Sequence, residues 1–198
     1  MTILAPKAPA LPLPTSEYTP QYLNQLLNVL RLYFNQLDST NRAEIEAFTQ
    51  YHGSFSDTTT QTLGATNTAT AITFDSTDVS DGVLIGSPTS RIVCNYTGVY
   101  NFQFSAQLKS GSASTKNAYF WPRIDGTDVP NSATRITISG SGSYVVPAWN
   151  FLLQIDAGSY FQLMWAADDT NVSLIAEAST AFCPAIPSII LTAVRETN

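Results

Sequence analysis

The run Gly98-Val99-Tyr100-Asn101-Phe102-Gln103-Phe104-Ser105-Ala106-Gln107-Leu108-Lys109 places Tyr100, Phe102, Phe104, Ala106 and Leu108 on alternate positions. Polar side chains fill the gaps between them. Successive side chains of a strand point to opposite faces, so this period of two predicts a strand with one core face and one polar face. Working outward, shorter strand-like runs follow at 68–74, 83–86, 91–95, 117–124, 134–139, 143–155, 160–166, 172–178 and 187–195. Turn chemistry separates them, at Asp81-Gly82, Asp125-Gly126, Ser139-Gly140-Ser141-Gly142, Ala157-Gly158 and Asp168-Asp169. The alternation slips near Val145-Val146-Pro147, where proline cannot donate to a ladder, so a bulge or edge position is expected there. Roughly ten short strands with no helix between them make an all-β sandwich.

Two runs break the half-polar rule. Tyr160-Phe161-Gln162-Leu163-Met164-Trp165 and Ile189-Ile190-Leu191 are apolar on both faces. One face then meets the core and the other meets something else, most simply another subunit. Tyr160, Leu163, Trp165 and Ile190 are therefore expected at a subunit interface.

The head so predicted covers 52–198, and two different segments precede it. Residues 1–17 carry Pro6, Pro9, Pro12 and Pro14, each of which fixes φ and removes a donor, so an extended arm is expected. Leu11 and Leu13 lie among these prolines as apolar contacts for a partner surface. The prolines also interrupt any secretory h-region, so no export signal is read here. Residues 18–51 read as helix, with Thr19 as N-cap and Pro20 at the first helical position. Leu23, Leu26, Leu30, Tyr33 and Leu37 follow spacings of 3, 4, 3 and 4, a short heptad seam flanked by Leu27 and Phe34. Such a helix either packs on its own domain or associates with copies of itself as a stalk. Asp38-Ser39-Thr40 is a point where it could stop and restart.

Composition excludes several functions. The chain has 198 residues, 9 basic against 15 acidic, and only 12% charged against 44% hydrophobic. Ser, Thr and Asn supply the polarity. Scattered bases on an acidic chain argue against nucleic-acid binding, which needs a clustered basic footprint. No apolar run reaches the ~18 residues of a membrane helix, so no membrane insertion is expected. Cys94 and Cys183 form no CxxC pair and lie far from the single histidine, His52, which leaves no zinc spacing. They are either bridged or two buried free thiols that behave as small hydrophobes. A triad built on His52 lacks a local Ser/Asp constellation. The carboxylate groups Asp75/Asp78/Asp81, Asp125/Asp128 and Asp168/Asp169 sit in turns, where Asp bonds its own backbone. As metal ligands, Asp75, Asp78 and Asp81 are the best placed, for calcium, but without EF-hand spacing. Asn95 and Asn171 begin sequons that a Ser/Thr-rich chain produces by chance. Trp121, beside Tyr119 and Arg123 on one strand face, is the best exposed candidate for stacking a sugar, but packing in the core or on a neighbour is the preferred reading of it, and Trp149 and Trp165 read as core or interface. No catalytic residue, metal or cofactor is expected.

The ordered set Gly98, Tyr100, Phe102 and Phe104 resembles the signature of the C1q domain, a ten-stranded jelly roll of the C1q/TNF superfamily. Ile72-Thr73-Phe74-Asp75 before it, the hairpin around Asp125-Gly126, and Leu153 to Phe161 after it follow the family's order. The similarity spans about 52–196. The final strand departs from the family pattern, since Pro187 to Arg195 lacks its Phe and Gly. The resemblance implies a homotrimer packed about a three-fold axis, with 99–108, 160–166 and 187–195 as inner-sheet strands. A Pro-rich arm, a helical stalk and a C1q-like head together resemble phage virion appendages. They imply a non-enzymatic head fibre or decoration protein, held to the major capsid protein or another virion protein through residues 1–17. The alternative is a tail-fibre head that binds a receptor or host-surface glycan. A secreted C1q/TNF-type ligand would need an export signal, and a glycosidase would need carboxylates gathered in one groove.

Overall fold

The computed structural model describes residues 7–13, 16–17 and 19–196. The described residues divide into two compact units, one ending at Thr49 and the other Gln50–Glu196. Pro6 and Pro14 lie outside the described residues, as do the side chains of several residues near the helix end. In the first unit, α1 (Pro20–Phe48) starts where the Tyr22 amide donates to the Thr19 hydroxyl at 3.4 Å, with proline at N1. It does not break at Asp38-Ser39-Thr40. The hydroxyls of Ser39 and Thr40 both turn back to the Gln36 carbonyl at 2.9 Å, an accommodation that keeps the helical backbone intact. The helix stops three residues earlier than expected, capped by the Thr49 amide and hydroxyl on the Ile45 carbonyl. Leu26, Leu30, Tyr33 and Leu37 are half-buried, while Leu23, Leu27, Leu32, Phe34 and Ile45 are exposed. Pro9, Leu11, Pro12 and Leu13 form neither helix nor strand; the Tyr22 hydroxyl lies 3.5 Å from the Pro12 carbonyl.

The second unit is built of strands alone. Its first eight are β1 (His52–Asp57), β2 (Gln61–Thr62), β3 (Thr70–Ala71), β4 (Ser76–Asp81), β5 (Val83–Ile85), β6 (Ile92–Cys94), β7 (Gly98–Ala106) and β8 (Leu108–Ser110). The rest are β9 (Lys116–Ile124), β10 (Thr127–Asp128), β11 (Thr134–Ile138), β12 (Tyr144–Val145), β13 (Ala148–Ile155), β14 (Tyr160–Ala167), β15 (Val172–Leu174) and β16 (Ile189–Arg195). One sheet runs β13-β7-β16-β1-β4. The facing sheet runs β10-β9-β14-β6-β5, with β11 also on β9 and β3 also on β14. A smaller sheet, β12-β8-β15-β2, continues one end. The first and last strands pair in the middle of their sheet, and β7, β9, β13, β14 and β16 fall in the two large sheets by turns. That strand order is a jelly roll.

The predicted alternation of β7 holds along its length. Tyr100, Phe102, Phe104 and Ala106 are buried, and Phe102 stacks on Phe161 of the facing sheet with centroids 4.0 Å apart and planes 7° apart. Phe104 continues the contact to Phe120 at 5.5 Å, and Phe120 to Trp165 at 6.4 Å. The 143–155 run is two strands in different sheets, and Pro147 sits at the break. Tyr51, read from sequence as the end of the helix, belongs instead to the head: it is buried there and stacks on Tyr96 at 3.7 Å.

The structure corrects the grouping of 160–166 with 99–108 and 187–195. β14 lies in the sheet opposite β7 and β16. Its Phe161, Leu163, Trp165 and Ala167 enter the core, and the other face is buried within the same chain. There Gln162 donates to the Ser90 hydroxyl at 3.0 Å, Arg91 lies 4.3 Å over the Tyr160 ring, and Met164 and Ala166 stand opposite Trp121 and Tyr119. Leu163 and Trp165 are wholly buried in one chain and offer no surface to a second. Of the four expected interface residues, Tyr160 is partly covered and Ile190 is 39% exposed.

Truncating Phe102 removes one half of the stack that joins the two sheets. Phe102→Ala should cost about 3–5 kcal/mol of head stability, read as a lower urea midpoint with a near-unchanged slope in equilibrium unfolding.

Candidate functional site

Two surfaces stand apart from the core. The first is the outward face of the five-stranded sheet. Register places Leu152, Asn101, Val194 and His52 in one rung across β13, β7, β16 and β1. Asn150, Gln103, Thr192 and Ser54 form the next, and Ala148, Ser105, Ile190 and Ser56 the third. None of these side chains is an Asp, Glu, Lys or Arg. Asp78 on edge strand β4 reaches in to accept the Ser54 hydroxyl at 3.1 Å. Leu152 is 61% exposed and lies on this face. Uncharged amides, hydroxyls and aliphatics lose little on desolvation compared with ionised groups, and the centres of protein interfaces are depleted in charge for that reason. The face can therefore be covered by another protein surface.

The second surface is a groove on the opposite sheet. Along β9, Ala118, Phe120 and Pro122 are buried, so Tyr119, Trp121 and Arg123 point outward. The β9–β10 hairpin turns on Asp125 and Gly126, both at positive φ (48° and 81°), the geometry of a two-residue type I′ turn. Asp128 is thereby placed opposite Arg123. Its Oδ1 accepts the Trp121 indole N–H at 2.9 Å and Arg123 Nε at 2.6 Å. Those bonds, Arg123 first and Trp121 second, hold the Asp128 carboxyl below the usual carboxylate range. Beyond it the Val129 amide donates to the Pro122 carbonyl, and the Ser132 hydroxyl donates back to the Val129 carbonyl. Trp121, Asp128, Val129, Asn131 and Ala133 enclose an open groove of ≈ 510 Å³.

The other residues singled out from the sequence have separate local partners. Asp75 accepts the Thr58 amide, the Thr58 hydroxyl and the Ser76 hydroxyl, and its pKa is lowered by these bonds against an opposing effect of burial. Asp125 accepts the Tyr160 amide, and Asp168 accepts the amide and side chain of Asn117. Asp169 is held at about 2 by the Asn171 amide and by Lys116, 3.0 Å away. Among the described residues no three His, Cys, Asp or Glu side chains gather into a metal-binding group, so Asp75, Asp78 and Asp81 do not converge. His52 Nδ1 lies 3.0 Å from the Gln50 carbonyl, and Ser54 is bonded to Asp78, not to the imidazole. No helix among the described residues is long and apolar enough to cross a membrane. Trp149 belongs to the core-facing side of β13 but is 57% exposed at the sheet end.

No family model matches the chain, and no curated protein matches it. Among the many solved structures that overlap it are the following two. The crystal structure of murine APRIL at pH 8.5 is 10% identical, covers 75% of this chain and 100% of its own, with a TM-score of 0.49. The globular domain of zebrafish complement 1qA protein is 16% identical, covers 75% of this chain and 98% of its own, with a TM-score of 0.44. The strand order, and not these overlaps, makes the head a jelly roll.

The cysteines are free thiols in different surroundings. Cys94 is buried, and burial pushes its thiol up to about 12, while Cys183 is partly exposed. Since the thiolate is the reactive form, a thiol reagent such as DTNB at about pH 8 should label one cysteine per native chain quickly. The second should react only after denaturation, with mass mapping of the labelled peptide assigning the fast site to Cys183.

Proposed function

We propose that this chain is a non-enzymatic, homotrimeric structural protein of a virion, a head fibre or decoration protein. The outward face of the five-stranded sheet, which bears no charged side chain across β13, β7, β16 and β1 and meets Asp78 and Asp81 only at its β4 edge, carries the reading. A rigid face of this kind, with Leu152 and Ile190 among amides and hydroxyls, suits permanent burial against other copies of itself. The exposed and half-buried apolar side chains of α1 support the same assembly. In a trimer, Leu23, Leu26, Leu30, Tyr33 and Leu37 supply the helical seam, and two heptads held together by a trimeric head need little intrinsic stability of their own.

Residues 1–17 are the attachment arm in this reading. Leu11 and Leu13 are exposed and available to a capsid or other virion protein. Three arms on one trimer raise attachment strength by avidity even where each binds weakly. The alternative, a receptor- or glycan-binding head on a tail fibre, shares this architecture and is favoured by the Trp121 groove.

Light scattering on the purified full-length protein should give three times the 21.4 kDa chain mass, and a monodisperse monomer at micromolar concentration would refute the assembly. Thr192→Lys, which puts a charge at the centre of the face, should shift the particle towards monomer while leaving its circular dichroism unchanged. Deleting residues 1–17 should leave a folded trimer that no longer joins particles. Normal incorporation of that truncation would overturn the arm's role.

A further inference from the structure

We infer that the groove of Trp121, Asp128 and Asn131 is a saccharide-binding site for a neutral pyranoside. The inference is independent of oligomeric state, because every residue of the groove comes from one chain. It begins with the indole. Trp121 lies on the outward face of β9 and lines the groove, and its N–H is already committed to Asp128 at 2.9 Å. The ring is thus fixed in orientation and presents its π face and edge. A pyranose has the complementary form, with an apolar C–H face that packs on an aromatic ring and a rim of hydroxyls that need partners.

Those partners stand beside the ring. Asp128 Oδ1 takes both the indole and the Arg123 guanidinium, which leaves Oδ2 as an acceptor for sugar hydroxyls. Asn131, held at φ 58° on the far side of the groove, brings an amide that can both donate and accept. Val129 and Ala133 complete an apolar floor. A few placed polar groups around an aromatic and aliphatic surface, in ≈ 510 Å³, is the composition of a small-ligand site.

Charge decides among ligands of that size. The groove lining holds one carboxylate and no cation, and Arg123 is already paired with that carboxylate at 2.6 Å. Phosphorylated ligands, nucleotides and sialylated glycans therefore find a paired carboxylate and no free cation to offset their own charge. A neutral ring meets only hydrogen-bonding groups. The groove is open and shallow, so a single site should bind weakly, with a Kd of about 0.1–10 mM.

The test uses the full-length protein and five defined probes, the methyl glycosides of glucose, galactose, mannose, N-acetylglucosamine and N-acetylgalactosamine, with sialyllactose as the anionic comparison. Saturation-transfer NMR and calorimetry should find at least one neutral probe that binds in the stated range and more tightly than sialyllactose. Trp121→Ala and Asp128→Ala should each weaken it by about tenfold or more, and Trp149→Ala, at the other exposed indole, should not. Asn131→Gly, which keeps the left-handed backbone while removing the amide, and Asp128→Asn change exposed side chains and keep the test open if Trp121→Ala does not fold. Absence of binding by all five neutral probes up to about 50 mM, a preference for sialyllactose, or binding untouched by the groove variants would each overturn the assignment. None of these outcomes bears on the mass measured by light scattering, so the site and the trimer stand or fall separately.

Discussion

Phe102 lying flat on Phe161 at 4.0 Å is the contact on which the head depends. It joins the centre of one sheet to the centre of the other, and Phe104, Phe120 and Trp165 extend it as a continuous band of rings. Once these rings are interleaved, the period of two leaves no freedom. Every intervening residue of β7 must face away from the core, which puts Asn101, Gln103 and Ser105 on the outward face. On β9 the same logic sends Tyr119, Trp121 and Arg123 to the opposite exterior. The two surfaces proposed for assembly and for saccharide binding are both consequences of which side of this aromatic band a residue falls on.

The low charge of the chain has a clear spatial form. The charged groups described above sit at turns and edges, where Asp75, Asp125, Asp168 and Asp169 bond nearby backbone amides. The broad sheet face is left to Asn, Gln, Ser and Thr, with His52 and the aliphatics Leu152, Val194, Ala148 and Ile190 among them. Polar groups of that kind keep a lone head soluble and still permit close contact with another surface. In the groove the one carboxylate, Asp128, is neutralised by its own strand neighbour and turned from an ionic feature into a fixed acceptor.

Much of the architecture was legible because it follows from alternation and turn chemistry. The all-β sandwich, the β7 core face, the hairpin at Asp125-Gly126, the cap at Thr19 and the disruption at Pro147 all rest on local rules, whereas the jelly-roll order was expected only from the resemblance to the C1q domain. β1 and β4 were not legible, since His52 to Asp57 carries one bulky apolar residue, Phe55, and Ser76 to Asp81 is an exposed edge. Only their pairing with β16 and with each other makes them strands. The apolar run of β14 was assigned to the wrong sheet because sequence does not reveal that the Ser90–Arg91 segment folds over its second face. Trp121 was recognised as a stacking candidate from strand phase, but Asp128 joins it only through hairpin register. Asn131 carried no signal that sequence reading could have used.

The central place of β1 and β16 in one sheet also sets the order of events during synthesis. β16 pairs with β7 on one side and β1 on the other, so the middle of that sheet stays open until the last part of the head has left the ribosome. Contacts so distant along the chain make for slow folding, whereas a helix such as α1 closes its own hydrogen bonds within microseconds. On a polysome, α1 segments of neighbouring nascent chains are complete while their heads are still unfinished. In the proposed trimer, chains would meet through their helices first, and the late closure of each sheet would then fix the partnership.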